Sequence, residues 1–546
     1  MTQRQKQSFM AGALTSSVGI FISKAIGLFY IVPFSAMATS SNMVFYSQAY
    51  TYYELLLNIC TAGFPFAIAA LVARYANKND FKTVMLVRKL SMSLMLASGF
   101  TVAIVFGLLS SPLAKASLGP QAPIEDIKIL QTCFIILTVA IVLVPFLSVF
   151  RGFYQGLKEL KVYAVSQVIE QVTRVGTLLG LGAFCVYVLK LDSIYSIYMA
   201  VLATSLAAII AILYYYKFDR KNIGDLNRAA RYQKEPSVPA KELFKELLLF
   251  GLPYLLASVL GNSMSIVNNM FFMSAVKATP QTYNYFTDVL GIMQTNCNKL
   301  TSIPQVLAIG FGAGIVPYLT ISLENKNWRE LQKNVLDCLD TVLYIGMPLF
   351  ICLLALAGPI YYVMYGTDNL AIGTEVLRWS SAISITGTLS PICSSMMMTL
   401  RLRRQSIFYL FIGFIVKLVS FFVLINMFGY SGALTSSILT SVVVIFLNLQ
   451  LIQNKYHVHY GRTFKRFFRI CLGLLAMNGS FVILQWLGLD VESQSRLLAT
   501  VYLGIYGIVG LGTYYFATSC LGLPKAILGI TLTGVIKKVV RRGKAS

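Results

Sequence analysis

The stretch IKILQTCFIILTVAIVLVPFLSVF occupies residues 127 to 150 and contains one charged residue, Lys128, near its start. An α-helix rises about 1.5 Å per residue, so this stretch is long enough to cross a hydrocarbon layer of about 30 Å. A helix that is apolar on every side is buried in lipid or in protein. The sequence therefore predicts a membrane-spanning helix at 127 to 150.

The whole chain has the composition of a polytopic membrane protein. Its 546 residues are 57% hydrophobic and 12% charged, with a mean hydropathy of +0.70, whereas soluble domains contain roughly 25% charged residues. The formal net charge is +24. This charge does not indicate nucleic-acid binding, because it lies in short connections and no basic domain with interleaved aromatic residues is present.

Fourteen apolar stretches are long enough to span a membrane. They lie at 9–33, 44–73, 86–110, 127–150, 162–189, 193–216, 244–272, 283–318, 335–358, 379–400, 405–428, 431–453, 467–487 and 497–522. With a cytoplasmic N-terminus, the inner connections and tails contain 35 Lys and Arg residues and the outer connections contain six. Because positive charges concentrate on the cytoplasmic side, we predict an all-α protein of fourteen transmembrane helices with both termini in the cytoplasm.

Other motifs are few. The nine cysteines are scattered singly, which predicts neither disulfides nor a metal site. The first apolar stretch is too long for a cleavable signal peptide, so we expect a true spanning helix. Gly176 and Gly180 form a GxxxG pattern, typical of close helix packing. No Walker loop, HExxH or GxSxG motif occurs, and we therefore expect a protein that is not an enzyme and needs no cofactor.

Two similar segments, 76–82 and 324–330, follow spans two and eight and suggest an internal repeat. An even number of spans separates them, so the two copies insert in the same orientation, and repeats of this type hold the substrate site between them. The predicted domains are an N-terminal lobe at 1–216, a cytoplasmic linker at 217–243, a C-terminal lobe at 244–453, and spans thirteen and fourteen with a basic cytoplasmic tail at 454–546. The linker is either a solvated tether or a contact to lipid headgroups, and the last two helices would form a groove for a lipid tail.

Four cations lie inside apolar stretches: Lys24, Arg174, Lys299 and Lys417. A charged side chain in the bilayer costs about 2.5 to 3.5 kcal/mol on insertion scales, so it is retained where it faces a polar cavity or a partner. We predict that these four residues line a cationic cavity and bind an anionic substrate. The alternative is snorkelling to the membrane surface or a structural ion pair.

Span five has a polar helical face. Gln167, Glu170, Gln171 and Arg174 occupy positions i, i+3, i+4 and i+7, which lie on one side of a helix. This face is either a cavity wall, in which Arg174 binds phosphate and Glu170 tunes it or accepts a proton, or the site of an intrahelical ion pair that joins neighbouring helices.

Three further polar residues lie within spans. Asn296 and Asn298 precede Lys299 by three and one positions, close enough in sequence to add hydrogen-bonding groups at a similar depth. Glu54 in span two is an ion-coupling site, a partner for Lys24 or a buried neutral acid, and the sequence leaves these three possibilities open.

Several segments resemble a known family. They are SKAIGLFY at 23–30, PF at 33–34, TAGFP at 61–65, QG at 155–156, SQVIEQ at 166–171, RV at 174–175, Lys417, and GA at 432–433. Together they resemble the oligosaccharide-lipid flippases of the MOP superfamily, in the branch of polysaccharide-biosynthesis and stage V sporulation B proteins. The resemblance extends from the N-terminus to about residue 453.

This resemblance implies a lipid II flippase of the bacterial plasma membrane, which moves an undecaprenyl-diphosphate-linked disaccharide pentapeptide outward by alternating access of two lobes. It also implies a cationic central cavity, membrane lipids and cell-wall synthesis proteins as partners, and a functional role for Lys24. Ile31 replaces a frequent second cation, Ala69 and Ala70 replace a polar pair, and 268–269 is Asn-Asn where some relatives have an aspartate. The last departure puts the family's sodium site in doubt here.

Other functions stay open. The cargo of a related transporter would be another lipid-linked oligosaccharide, of the capsule, teichoic or O-unit type. A MATE-like cation exporter usually has twelve helices and depends on carboxylates. A membrane glycosyltransferase would be favoured by a soluble donor-sugar domain, and a scaffold in envelope assembly is a further alternative.

Overall fold

The computed structural model describes residues 30–39, 42–61, 64–157, 159–233, 238–305, 319, 322–323 and 325–528. Within these ranges the chain is helical and contains no strand, which confirms the all-α prediction. Lys24 and the basic tail after residue 528 lie outside the described residues. The chain divides into two compact units, Met1–Gly291 and Ile292–Ser546.

The first unit is built from eleven described helices. They are α1 (Ile31–Ala38), α2 (Met43–Thr61), α3 (Phe64–Asn77), α4 (Phe81–Leu108), α5 (Ser110–Leu118), α6 (Ile124–Gly156), α7 (Leu160–Ala183), α8 (Ile194–Tyr232), α9 (Ala240–Gly261), α10 (Ser263–Ala275) and α11 (Tyr283–Gly291). A π-helical segment, Phe184–Val188, continues α7. Helix α6 packs against α2, α3, α4 and α8, and α7 packs mainly against α8.

Helices α3 and α6 approach each other closely at two glycines. A β-carbon at Gly152 would lie 2.7 Å from the carbonyl oxygen of Pro65, and one at Gly156 would lie 2.7 Å from that of Ala69. Any larger residue would push the backbones apart, so the GxxxG spacing of these two glycines permits the contact. This contact holds the C-terminal part of α6, which includes Arg151, at a defined position.

The GxxxG pattern predicted to pack in span five behaves differently. No described atom lies within 4 Å of a β-carbon built at Gly176 or Gly180. Among the residues that the structure describes, close helix packing is therefore observed at Gly152 and Gly156 and not at the pair that the sequence favoured.

A buried ion pair joins α4, α6 and α8. Arg88 pairs with Asp219, and the Tyr154 hydroxyl donates a hydrogen bond to the same carboxylate. The guanidinium lies 5.2 Å from the ring centre of Phe150 and 4.7 Å from that of Phe153. One positive and one negative charge balance in this cluster, which reduces the cost of burying them.

Helix α8 continues into the predicted linker at 217–243. It ends at Tyr232, and α9 begins at Ala240. Asp219 is buried and paired with Arg88, and the first part of this polar segment continues the candidate spanning helix Ile194–Tyr232. The two compact units divide after Gly291 and not within 217–243. The role of 217–243 as a boundary between lobes stays a prediction.

Helices α9, α10 and α11 pack within the first unit, mainly against α2, α3 and α5. The Gln48 amide donates to the Asn269 carbonyl at 3.3 Å, and the Asn269 amide donates to the Thr51 hydroxyl at 3.0 Å. Arg74 of α3 pairs with Glu246 of α9 at 2.5 Å. Residues 244–291, which the sequence assigns to the C-terminal lobe, thus lie in helices that contact the first part of the chain.

The second unit begins with a π-helical segment, Ile292–Cys297, followed by helical residues 298–305. Its further helices are α12 (Trp328–Ala355), α13 (Ala357–Tyr365), α14 (Leu370–Thr399), α15 (Arg403–Phe428), α16 (Ser431–Tyr456), α17 (Gly461–Trp486), α18 (Arg496–Cys520) and α19 (Leu523–Leu528). Helices α15 and α16 pack as one pair, α17 and α18 as another, and α14 contacts both α12 and α16.

Polar contacts attach α17 and α18 to the rest of the second unit. Arg462 and Arg466 of α17 pair with Asp337 and Asp340 of α12, at distances from 2.5 to 4.0 Å. Arg496 of α18 donates to the carbonyl groups at the C-terminus of α13, where free carbonyls favour a cation. The last two spans therefore pack against α12 and α13.

Nine helices of the described chain are long and apolar enough to cross a membrane. They are Phe81–Leu108, Ile124–Gly156, Lys161–Val188, Ile194–Tyr232, Trp328–Ala355, Arg403–Phe428, Ser431–Tyr456, Gly461–Trp486 and Arg496–Cys520. Predicted span one lies almost entirely outside the described residues, and predicted span seven is divided between α9 and α10. The multi-pass architecture is confirmed, whereas the count of fourteen is not.

Candidate functional site

The polar face of span five lies on α7. Leu160 begins this helix and Arg174 lies fourteen positions later, near the middle of the span Lys161–Val188. Glu170 is buried, whereas Gln167, Gln171 and Arg174 are half-buried. The predicted four-residue face therefore forms, at membrane depth, with Glu170 as its most buried member.

Glu170 is shared between two arginines. One carboxylate oxygen accepts a hydrogen bond from Arg174, one turn further along α7, and the other accepts from Arg151 of α6. Arg174 also approaches the side-chain oxygen of Gln171 at 3.5 Å. The ion pair of the second sequence alternative therefore forms, and through Arg151 it connects α6 with α7. The cavity-wall alternative stays a prediction.

This cluster of Arg151, Glu170 and Arg174 carries one more positive than negative charge. Their side chains remain 17%, 12% and 22% exposed, respectively. The Arg88–Asp219 pair in the first unit is balanced, with one Arg and one Asp. The second-unit cluster is also balanced, with two of each, and its Arg462 and Asp337 side chains are 34% and 42% exposed. Among the described ion-pair clusters at membrane-spanning helices, this cluster therefore combines an excess of positive charge with side chains that remain partly exposed.

Arg151 is the site residue that sequence reasoning missed. It lies just past the end of the predicted span 127–150, but α6 continues to Gly156 and places Arg151 within the helix. The sequence does contain a signal for Arg151. The neighbouring Gly152 and Gly156 form a GxxxG pattern, which is typical of a helix that continues and packs closely.

Two tyrosines of α2 lie near the Arg174 end of the cluster. Arg174 interacts electrostatically with Tyr50 and Tyr53, and the ring centres of these tyrosines lie 5.7 Å apart. The Tyr50 hydroxyl bonds to the Thr204 hydroxyl of α8. The Tyr50–Thr204 bond joins α2 to α8, and aromatic side chains therefore lie within electrostatic range of the Arg174 guanidinium.

Lys417 has a different environment in the second unit. It is fully buried, and its ammonium donates hydrogen bonds to the Ala433 carbonyl at 3.1 Å, the Ser436 hydroxyl at 2.7 Å and the Ser437 hydroxyl at 2.8 Å. It also lies 4.9 Å from the ring centre of Phe421. All three N–H groups are used between α15 and α16, so binding of a substrate anion by Lys417 stays a prediction that would require exchange of these bonds.

Lys299 and its neighbouring asparagines are not equivalent in the structure. Asn296 belongs to the π-helical segment and is buried, and its amide donates to the Tyr361 hydroxyl at 3.1 Å. Asn298 is exposed and Lys299 is half-buried. The Tyr365 hydroxyl donates to the Asn296 carbonyl at 3.1 Å, so Asn296 anchors α13, and a shared binding role for all three residues stays a prediction.

Glu54 is exposed on α2. This position does not fit the third possibility from the sequence, a buried neutral acid. Its proposed partner Lys24 lies outside the described residues, so that pair and ion coupling stay predictions.

No group of three or more His, Cys, Asp or Glu residues in the described part of the chain is placed to hold a metal ion. All nine cysteines lie in this part and are unpaired.

Comparisons with known proteins agree with this architecture. A model of the polysaccharide biosynthesis protein family matches residues 9–323. Lipid II flippase MurJ of Bacillus subtilis is 27% identical over 97% of this chain and 98% of its own length. Stage V sporulation protein B of the same organism is 22% identical over 68% of this chain and 70% of its own length.

Two solved structures share the fold. A lipid II flippase MurJ in an inward closed conformation has a TM-score of 0.66 at 15% identity, and the match covers 93% of this chain and 98% of that one. An inward-facing MATE multidrug transporter of the MOP superfamily has a TM-score of 0.62 at 16% identity, covering 81% and 94%. The fold is thus that of the MOP superfamily, and because the family model matches more than half of its length, the chain belongs to the polysaccharide biosynthesis protein family.

Proposed function

We propose that this chain is an alternating-access flippase that moves lipid II, an undecaprenyl-diphosphate-linked peptidoglycan precursor, from the inner to the outer leaflet of the bacterial plasma membrane. The relative named lipid II flippase MurJ aligns over nearly the whole of both chains. The solved MurJ structure supports the same fold. The proposal makes the chain a transporter without enzyme activity, with cell-wall synthesis proteins as partners.

The observation that carries this proposal is the charge-excess cluster of Arg151, Glu170 and Arg174. A diphosphate that crosses the bilayer loses much of its water and needs fixed cations in exchange. Guanidinium groups supply paired, charge-assisted hydrogen bonds to phosphate oxygens. A partly accessible cluster with surplus positive charge provides these groups at membrane depth.

The remaining predicted residues are assigned by the proposal to the same task. Lys24 and Lys299 bind the headgroup together with Arg174, while Lys417 joins them if its bonds to α16 exchange during transport. Gln167, Gln171, Asn296 and Asn298 supply hydrogen bonds, and Glu54 contributes to coupling or pairs with Lys24.

A second candidate is transport of another lipid-linked oligosaccharide. It is favoured by the similarity to stage V sporulation protein B, which is a more distant relative than MurJ over a shorter part of the chain. A MATE-like cation exporter also has the same fold. Surplus positive charge in the cluster disfavours a cationic cargo, because like charges repel in a low-dielectric site.

Reconstitution tests the headgroup directly. We would place the purified full chain in liposomes that contain lipid II, a lipid-linked teichoic precursor or a lipid-linked capsule precursor, and follow access of each to an impermeant outer-leaflet probe. We expect the protein to accelerate exposure of lipid II. If lipid II is exposed no faster than in protein-free liposomes while another precursor is, the second candidate replaces the first.

A further inference from the structure

We infer that Arg151 and Arg174 form a two-guanidinium subsite for the diphosphate group of the cargo, and that Glu170 is an internal counter-ion which the diphosphate displaces. This inference rests on the proposed function for the identity of the anion. It deepens that function in two ways. It assigns Arg151 a binding role, which the sequence did not predict, and it turns the tuning role that the sequence offered for Glu170 into competition with the cargo.

The geometry of Glu170 supports a bridging anion. A single carboxylate contacts both guanidinium groups at once, one through each oxygen. The two arginines come from different helices, α6 and α7, yet their donors converge on one small anionic group. A diphosphate presents more oxygen atoms over a longer span, so it can occupy both guanidinium groups without the carboxylate.

Unused donors support the same conclusion. The Nε atoms of Arg151 and Arg174 are buried and have no hydrogen-bond partner among the described residues. Glu170 thus leaves part of the hydrogen-bonding capacity of each arginine unsatisfied, which is unfavourable in a buried site. An incoming anion with more acceptor atoms would satisfy these donors as well as the surplus charge.

The contrast with the Arg88 cluster shows why a purely structural role is insufficient. Arg88 has its own aspartate, which also accepts a hydrogen bond from the Tyr154 hydroxyl, and two flanking aromatic rings. The Arg88 side chain is 9% exposed. In that cluster the charges balance and the guanidinium is packed against side chains without a ligand. In the Arg151 cluster the charge is incomplete, and the Arg174 side chain is more than twice as exposed.

Displacement of Glu170 also provides for release. Once the diphosphate leaves, the carboxylate returns to both arginines and lowers the cost of the empty site. A site with two permanently free guanidinium groups would bind the anion more tightly but would release it slowly. Glu170 therefore sets a balance between binding and turnover.

The test measures binding of undecaprenyl diphosphate and undecaprenyl phosphate to the purified full chain in detergent, with thermal unfolding as a fold check. We expect the wild type to prefer the diphosphate by about tenfold, since one additional charge-assisted contact is worth that much. Arg151→Gln should abolish this preference, and Arg151→Lys should restore part of it. Glu170→Gln should tighten binding of both lipids while slowing their dissociation.

The matched control is Arg74→Gln, which removes one positive charge from the half-exposed pair with Glu246 in the same unit. It should leave both affinities and their ratio unchanged. The inference is overturned if Arg151→Gln and Glu170→Gln behave like this control, or if both simply unfold, because the cluster would then be structural.

Transport of lipid II by the wild type separates this inference from the proposed function. If the wild type flips lipid II but the Arg151 and Glu170 variants bind like the control, the subsite is wrong and the function stands. If the wild type flips a different lipid diphosphate while the variants shift the affinities as expected, the subsite stands and the identity of the headgroup is wrong.

Discussion

The ammonium of Lys417 donates a 2.8 Å hydrogen bond to the Ser437 hydroxyl and thereby joins α15 to α16. Ser437 in turn donates to the carbonyl of Ala433, which also accepts from Lys417. A lysine that the hydropathy pattern singled out as a cation available for binding is thus part of a closed hydrogen-bonding group between two helices.

Lys417→Met should preserve folding, and it should slow transport only if the bonds of Lys417 to α16 exchange during transport. Methionine fills a similar volume, and the serine hydroxyls keep the Ala433 carbonyl as acceptor, so the substitution removes a buried charge without leaving a donor unpaired. The hydrogen-bond partners of Lys417 are neutral groups, so its replacement leaves no buried counter-charge unpaired, which is the costly outcome. Thermal unfolding and lipid II transport measure the outcome.

Lys417→Ala is the comparison, because it leaves a cavity and should lower the free energy of unfolding by about 2 to 4 kcal/mol. A well-folded Lys417→Met protein that no longer transports lipid II would instead establish the anion-binding role predicted from the sequence.

Asp340→Asn should strongly destabilise the second unit. The Asp340 side chain is fully buried and pairs with both Arg462 and Arg466, so its neutralisation leaves two guanidinium groups short of a counter-charge. Loss of one partner from a buried pair typically costs about 3 to 5 kcal/mol. Thermal unfolding of the purified protein is the measurement.

Asp225→Asn is its control, since Asp225 is almost fully exposed and lies 4.0 Å from Arg228. It should not shift the unfolding temperature. Equal shifts for the two variants would mean that the α12–α17 network contributes little to stability.

Gly156→Ala should disrupt the contact between α3 and α6. Its β-carbon would lie 2.7 Å from a backbone carbonyl oxygen and 2.7 Å from the Val72 side chain, and overpacking of this kind typically costs about 1 to 3 kcal/mol. Because Arg151 is on the same part of α6, transport should fall as well. The measurements are the unfolding temperature and the lipid II transport rate of the same variant.

Gly180→Ala provides the matched change on α7, where no described atom lies within 4 Å. Alanine favours a helix over glycine by up to about 1 kcal/mol, so this variant should be as stable as the wild type or more stable. A larger loss at Gly180 than at Gly156 would reverse the assignment of the packed glycine pair.

Neutralising Lys24 and Arg174 together should abolish complementation of a flippase-deficient cell. The double change Lys24→Gln with Arg174→Gln removes two cations that the proposal assigns to headgroup binding, and the cargo then lacks compensation for its charge. Membrane abundance of the variant is checked by immunoblot. Normal growth at normal abundance would reject these two residues as binding groups.

The sequence by itself determined the properties that depend on neighbours close along the chain. Hydropathy established the all-α membrane fold, because apolar length is a local property. The helical repeat predicted one shared face for Gln167, Glu170, Gln171 and Arg174. In the structure all four residues lie on the single helix α7. These features can be predicted without knowing which helices pack together.

The tertiary structure alone decided what each cation contacts. Arg151 meets Glu170 because α6 and α7 pack side by side, and Lys417 is enclosed because α16 covers it. It also decided which glycine pair is a contact and where the predicted spans divide into separate helices. The physical reason is that burial and charge compensation depend on groups far apart in sequence, whose meeting is set by the packing of whole helices.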